Sequence, residues 1–310
     1  MISSVLILIL GLATLVIGGE LLVKGAVGIA LKFKVSTLVV GLTVVSFGTS
    51  APELLVSLSA ALDGRSAIAI GNVVGSNIAN LALVLGVTCI IFPISVRRST
   101  LRVDWNFMML SSLILFAFMF DGIINWWEGA IMFTILLIYI VWSIRRSRRN
   151  DADEIEDDVE LDKPFIYYIL FTVLGCVALV FGSDWMLDGA VDIAKYFDVS
   201  DGVIGATIIA FGTSVPELAT SSIAAFRKET DISIGNLIGS NIFNILCILG
   251  LTPMVKEVEF NTSVLSNEMV WMLAISFLIL PLSIRTLSIN RWKGVFLTCL
   301  YVLFSYFMVF

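Results

Sequence analysis

Histidine is absent from the 310-residue chain. Histidine-based acid–base catalysis and histidine-held zinc are therefore excluded. Charge is scarce as well: Asp, Glu, Lys and Arg make up 14% of the residues, where an ordinary soluble domain carries roughly a quarter. With 58% hydrophobic residues and a mean hydropathy of +1.00, the chain cannot cover itself with polar surface. Soluble enzymes, nucleic-acid binders and disordered proteins fall away on that ground. The cysteines are four, Cys89, Cys176, Cys247 and Cys299, each alone in an apolar stretch. They lack the pairing of a disulfide framework or the spacing of thiolate metal sites and read as small buried hydrophobes. The formal net charge is −6, but the run 151–162 alone holds eight carboxylates, so the rest is nearly neutral. These absences leave an all-α polytopic membrane protein, not an enzyme, with no cofactor, a lipid bilayer as its surroundings and no nucleic-acid partner.

Long apolar runs are what the chain does have. A helix needs about 20 apolar residues to cross the hydrocarbon core. Ten segments qualify: 4–30, 37–61, 67–92, 104–121, 123–143, 165–194, 202–226, 231–254, 268–285 and 291–309. The first has no basic leader and resembles 165–194 in mid-chain, so it reads as a span and not a cleaved signal. With the 145–163 loop placed in the cytoplasm, fifteen Lys and Arg residues fall on that side and three on the other. The bias predicts a cytoplasmic 145–163 loop and termini outside the inner (cell) membrane. Trp105, Trp142 and Trp292 then mark inner ends, and Trp126, Trp127 and Trp271 outer ends, as an aromatic belt.

The chain is also written twice. GLTVVSFGTSAPELLVS at 41–57 matches GATIIAFGTSVPELATS at 205–221, GNVVGSNIAN at 71–80 matches GNLIGSNIFN at 235–244, and GGELLVKGA at 18–26 matches GSDWMLDGA at 182–190, always at an offset of 164 residues. Five spans per half force the second copy to enter the membrane upside down. The expected architecture is thus two inverted-topology five-helix repeats, 1–144 and 164–310, joined by the charged linker 145–163, with a substrate site near the midplane between them. The acidic part of the linker reads as a solvated connector, since it lacks the glycine turn and spacing of an EF-hand.

The repeated motifs carry the chemistry. In Gly48-Thr49-Ser50-Ala51-Pro52-Glu53, proline removes a helix donor and clashes with the carbonyl of Gly48, so the span should break near its centre. Glu53 then sits near the midplane, where an acidic residue costs about 2.5–3.5 kcal/mol to insert and is a functional-site candidate by default. Gly212-Thr213-Ser214-Val215-Pro216-Glu217 repeats the arrangement. Thr43, Ser46, Ser50, Glu53 and Ser57 form one helical stripe, and Thr207, Ser214, Glu217 and Ser221 another; Asn72, Ser76 and Asn80, and Asn236, Ser240 and Asn244, step by four. The pairs Gly71/Gly75 and Gly235/Gly239 predict close helix packing. Four such stripes around two carboxylates make an oxygen-only cage suited to a hard cation such as Ca2+. The bland reading of each serine or asparagine is interhelical glue, but two glutamates beside two prolines at matching positions resist it. Asp184, Asp188 and Asp192 are either an outer cation vestibule or the wetted end of a long helix, and Glu20 with Lys24 reads as an i,i+4 pair.

At these residues the sequence resembles the calcium/cation antiporter superfamily, in particular its prokaryotic sodium/calcium exchangers. The doubled GTSxPEL and GNxxGSNxxN stretches look like that family's two alpha-repeats. The resemblance implies antiport of Na+ and Ca2+ by alternating access at one site, with Glu53 and Glu217 coordinating calcium together with backbone oxygens of Thr49 and Thr213. It further implies sodium ligation by Ser50, Ser214, Ser76 and Ser240 and by backbone oxygens of Ser46 and Ala210, with Asn80 and Asn244 as the central amides. Long helices one and six become candidates for the moving pair. Many relatives have aspartate where this chain has Asn244. The alternatives are a proton-coupled or potassium-dependent cation exchanger and, in another class, a cation channel or a membrane scaffold. A monomer is expected.

Overall fold

The computed structural model describes residues 1–150, 162–199, 210–260 and 262–309. Seven helices in it are long and apolar enough to cross a membrane: α1 (Ile2–Phe33), α4 (Ser66–Ile91), α5 (Thr100–Phe118), α6 (Trp126–Arg149), α7 (Phe165–Tyr196), α10 (Thr230–Val255) and the Asn267–Ile284 stretch of α11 (Thr262–Ile284). An eighth crossing results if α2 (Thr37–Thr49) and α3 (Ala51–Leu62), bent by 46° at Ser50, count as one span. Of the predicted 202–226 span the described part is α8 (Ala210–Gly212) and α9 (Val215–Phe226); Ser200 and Thr207 lie outside the described residues. The last segment forms α12 (Arg291–Val309), which opens on Arg291 and Lys293.

α1 and α7 are the longest helices, 32 residues each, and they run antiparallel in close contact. The cause is a pair of glycine rows with a seven-residue step, Gly11, Gly18 and Gly25 on α1 and Gly175, Gly182 and Gly189 on α7. A Cβ at Gly18 would come within 2.9 Å of the Leu179 nitrogen, one at Gly11 within 2.4 Å of the Met186 nitrogen, and one at Gly175 within 2.6 Å of the Leu22 nitrogen. Backbones approach this closely only where side chains are missing, which is how helices associate without a hydrophobic driving force. The outer flanks of both helices expose large apolar residues, among them Leu6, Ile9, Val16, Val173, Leu174 and Phe181, a surface that suits lipid and not water.

Behind this pair lies α10, whose apolar stretch is completely buried, against 72% for its counterpart α4. α10 packs on α2 through Gly41, Gly235 and Gly239, where an added Cβ would meet backbone at 2.9 Å or less. The Gly235/Gly239 pair therefore packs closely, as expected. A Cβ added at Gly71 or Gly75 would meet no other element within 4 Å among the described residues; the segment matching Leu38–Leu42 at the repeat offset, 202–206, is outside them.

The backbone repeats the offset of 164. Lys34 (φ 51°) is matched by Asp198 (φ 56°), and Gly64 (φ 74°) by Lys228 (φ 65°). Two short strand pairs join the halves: β1 (Ile94–Ser95) with β4 (Ser288–Ile289), and β2 (Ile123–Ile124) with β3 (Val258–Glu259), both antiparallel. Exchanging the halves maps one ribbon onto the other.

Several sequence expectations are corrected. Residues 123–124 are strand, because Ile123–Ile124 pairs with β3 while Glu128 accepts the Asn125 N–H at 2.8 Å and starts the helix at Trp126. Trp105 is buried, its indole donating to the Ser276 carbonyl at 2.9 Å, so it is a core residue and not part of a belt. Cys299 is exposed and Cys176 half-buried; all four cysteines are free. Glu20 contacts Lys24 only at 3.9 Å, and its closer partner is Arg227, bidentate at 2.7 Å, because the loop after α9 packs beside α1.

Candidate functional site

The break in α2–α3 falls at Ser50 (φ −87°, ψ 4°), with Pro52 in the first turn of α3. The second copy breaks at Ser214 (φ −93°, ψ 5°), with Pro216 in the first turn of α9. In both, an acidic residue follows the proline inside the first turn, Glu53 and Glu217, where the positive end of the new half-helix favours negative charge. Proline leaves a carbonyl four residues back without its helical donor. For Pro216 that carbonyl is Gly212, and the Ser183 hydroxyl of α7 donates to it at 3.0 Å. The matching residue in the first half is Gly19, so Gly48 has no counterpart of this hydroxyl.

Glu53 and Glu217 are fully buried and lie within each other's electric field. Ser50 Oγ donates to Glu217 Oε1 at 3.4 Å. The remaining three carboxylate oxygens, Glu53 Oε1, Glu53 Oε2 and Glu217 Oε2, have no hydrogen-bond partner among the described residues. Among the described residues the two amide atoms of Asn80, the Asn244 Oδ1 and the Ser214 Oγ also have none, and all are fully or nearly fully buried. Burying polar groups without partners costs on the order of 1–3 kcal/mol each, and more for charged ones. Unpartnered oxygens on two broken helices and two asparagine helices are groups that a cation can satisfy.

The other named residues divide by their partners. Thr49 is fully buried and its hydroxyl approaches Asn236 Oδ1 at 3.1 Å, the Ser46 carbonyl at 3.3 Å and Ser240 Oγ at 3.3 Å. Ser46 donates to the Gly41 carbonyl at 2.7 Å and reaches the Asn236 carbonyl at 3.0 Å. Both residues tie α2 to α10. Ser76 and Ser240 are buried on α4 and α10. Thr213 is only half-buried beside its break, and Ala210 opens α8. Asn72 donates to Ser57 Oγ at 2.9 Å and Asn236 to Ser221 Oγ at 3.0 Å. These two matching bonds fasten each glutamate helix to its asparagine helix, which is the glue role. Asn80 and Asn244 both lie on π-helical turns, Ala79–Val84 and Asn244–Ile248, a distortion frequent at functional sites. Asp184, Asp188 and Asp192 are exposed along α7. Among the described residues no group of three or more acidic, cysteine or histidine side chains converges, so neutral oxygens must complete any cation shell built on the two glutamates.

Reading the sequence alone missed Asn77 and Asn241, which match at the repeat offset. Asn77 Nδ2 donates to the Asn241 carbonyl at 3.4 Å, and Asn244 Nδ2 donates to Asn77 Oδ1 at 3.1 Å. The available signal was a second amide in each GSNxxN stretch. The glycine rows of α1 and α7 were legible as well, as a seven-residue period.

Helices that expose apolar flanks, break at paired prolines and bury two carboxylates among amides define a helical membrane protein with an intramembrane ionisable site. The chain belongs to the sodium/calcium exchanger protein family, whose model matches residues 3–145 and 167–310. It is 34% identical to the sodium/calcium exchanger MaX1 of Methanosarcina acetivorans, covering 96% of each chain. It is also 34% identical to the inner membrane protein YrbG of Escherichia coli K12, covering 96% of this chain and 94% of that one. Among solved structures it resembles the sodium-calcium exchanger NCX_Mj soaked with Na+ and Sr2+, at 33% identity and a TM-score of 0.82 over 97% of both chains.

Proposed function

We propose that this protein is a secondary-active antiporter that exchanges Na+ for Ca2+ by alternating access at a carboxylate site between two inverted five-helix repeats, 1–144 and 164–310. The observation that carries the reading is the set of buried oxygens of Glu53, Glu217, Asn80 and Asn244 that have no donor among the described residues. Two carboxylates balance one divalent ion or a set of monovalent ones, and Ca2+ takes six to eight oxygens. Glu53 and Glu217 supply the charge, with backbone oxygens of Thr49 and Thr213 beside them. Ser50, Ser214, Ser76, Ser240, Asn80, Asn244 and the backbone oxygens of Ser46 and Ala210 complete the sodium and calcium positions. The antiparallel run of α1 against α7, helices related by the repeat, supports the inverted arrangement of ten spans. The 164-residue match of positive-φ positions supports it too. The protein works as a monomer in the cell (inner) membrane, with both termini outside and the 145–163 loop cytoplasmic. The linker is a connector and no cofactor takes part.

Potassium has no place in this charge balance. Asn80 and Asn244 are neutral, so a bound Ca2+ cancels the two glutamates and leaves nothing for K+ to neutralise. The test is 45Ca2+ uptake by reconstituted protein driven by a sodium gradient, with potassium replaced by choline on both sides. Uptake is expected to persist and, when more than two Na+ exchange for each Ca2+, to respond to membrane potential by about 2.3 kcal/mol per net charge per 100 mV. Uptake that collapses without potassium overturns the charge count, and calcium flux without sodium on either side indicates a channel. Orientation is checked separately: an Ile155→Cys protein in intact cells should resist an impermeant thiol reagent, and rapid labelling reverses the topology.

A further inference from the structure

Asn244 and Asn80 occupy matching positions, but the protein treats their amides differently. Among the described residues Asn80 has neither amide atom partnered, whereas Asn244 has its Nδ2 engaged and only its Oδ1 unpartnered, with both residues fully buried. A carboxamide has one oxygen and one NH2, and only the oxygen ligates a cation. Which end faces the ion is therefore a matter of orientation, and a buried amide turned the wrong way presents donors to a cation.

Asn244 is turned by Asn77. Asn77 Oδ1 accepts from Asn244 Nδ2 at 3.1 Å, and Asn77 itself donates to the backbone carbonyl of Asn241 at 3.4 Å. A backbone carbonyl only accepts, so the Asn77 NH2 must face Asn241 and its oxygen must face Asn244. The polarity of the relay is thereby set at one end by the main chain and delivered at the other as a free Asn244 oxygen. Asn241, which matches Asn77 in the second half, likewise gives its NH2 to a backbone carbonyl, that of Leu237 at 2.8 Å, but among the described residues Asn80 Nδ2 has no partner, so Asn241 does not orient it. We infer that Asn77 is a positioning residue that holds the Asn244 oxygen toward the transported cation, so that the exchanger has one pre-oriented amide ligand, Asn244, and one adaptable one, Asn80. The inference rests on the proposed ion site.

A carboxylate has two equivalent oxygens and needs no such orientation, which supplies the test. Apparent Ca2+ affinity is measured on the full chain, by sodium-driven uptake and independently by Ca2+ titration of the protein's thermal stability in detergent. The proteins compared are wild type, Asn244→Ala, Asn77→Ala, Asn244→Asp and the double variant Asn77→Ala/Asn244→Asp. Asn244→Ala should weaken Ca2+ binding, and Asn77→Ala should weaken it by about tenfold, the scale of losing one hydrogen bond to a buried group. On the Asn244→Asp background, Asn77→Ala should change affinity less than about twofold. An equal loss on both backgrounds overturns the positioning role and leaves the ion site standing. If Asn244→Ala binds Ca2+ like wild type, the assignment of Asn244 to the site falls, and the positioning role with it. Should Asn77→Ala not yield folded protein, Asn77→Leu preserves the side-chain volume without the amide and serves in the same comparison.

Discussion

Residues 46–80 and 210–244 carry the same motifs at one offset, yet Thr49 is fully buried among Ser46, Asn236 and Ser240 while Thr213 is half-exposed. Ser50 donates to Glu217 across the interface, whereas Ser214 Oγ has no partner among the described residues. The apolar stretch of α10 is completely buried and that of α4 is not. Equal sequences in unequal surroundings fit the proposed inverted-repeat arrangement. If each half can adopt either set of contacts, exchanging the two sets gives a second state of similar free energy, and a bound ion has only to bias it. The sequence differences show where that exchange is imperfect. Ser183 supports the Gly212 carbonyl in the second half, and Gly19 cannot do so for Gly48.

The comparison predicts the largest effect at the residues the halves share. Glu53→Gln and Glu217→Gln should each abolish sodium-driven Ca2+ uptake while leaving the protein folded and inserted, since neutralising a buried intramembrane charge does not hinder insertion. Substantial transport by either variant would sink the site. The losses should be comparable although only Glu217 is bonded to Ser50, because charge and not that bond is what the ion meets.

A smaller effect separates the halves. Ser183→Ala strips the hydroxyl from the Gly212 carbonyl and should lower thermal stability by about 1 kcal/mol, the net worth of such a bond. A melting temperature unchanged by Ser183→Ala would mean that this carbonyl finds another donor and that the asymmetry is only apparent. The smallest effect belongs to the Glu20–Arg227 pair, partly solvated. Glu20→Gln should cost about 0.5 kcal/mol or less. If α1 slides past α9 during transport, it should change the uptake rate more than the melting temperature. An unaltered rate would detach this pair from the mechanism.

Much of this was legible in residue order. The repeat offset, the proline after each GTS triplet and the glutamate after each proline located both breaks, since proline's missing donor and intramembrane carboxylates act through local chemistry alone. The helical segments followed from apolar runs for the same reason. Strands at 94–95 and 258–259 were not legible, because two residues carry no periodicity and the pairing partner is far along the chain. The true partner of Glu20 was likewise hidden, since helical spacing names Lys24 and only packing brings Arg227 closer.

Sequence by itself determined that this chain lives in a membrane, is built twice and buries two carboxylates, because composition, self-similarity and proline geometry do not depend on long-range contacts. Only the tertiary structure decided which asparagines are glue and which have oxygens to spare. Asn72, Asn236, Asn80 and Asn244 are the same residue at equivalent spacings, and an amide's role is set by the donors and acceptors that the other half of the protein brings within about 3 Å of it.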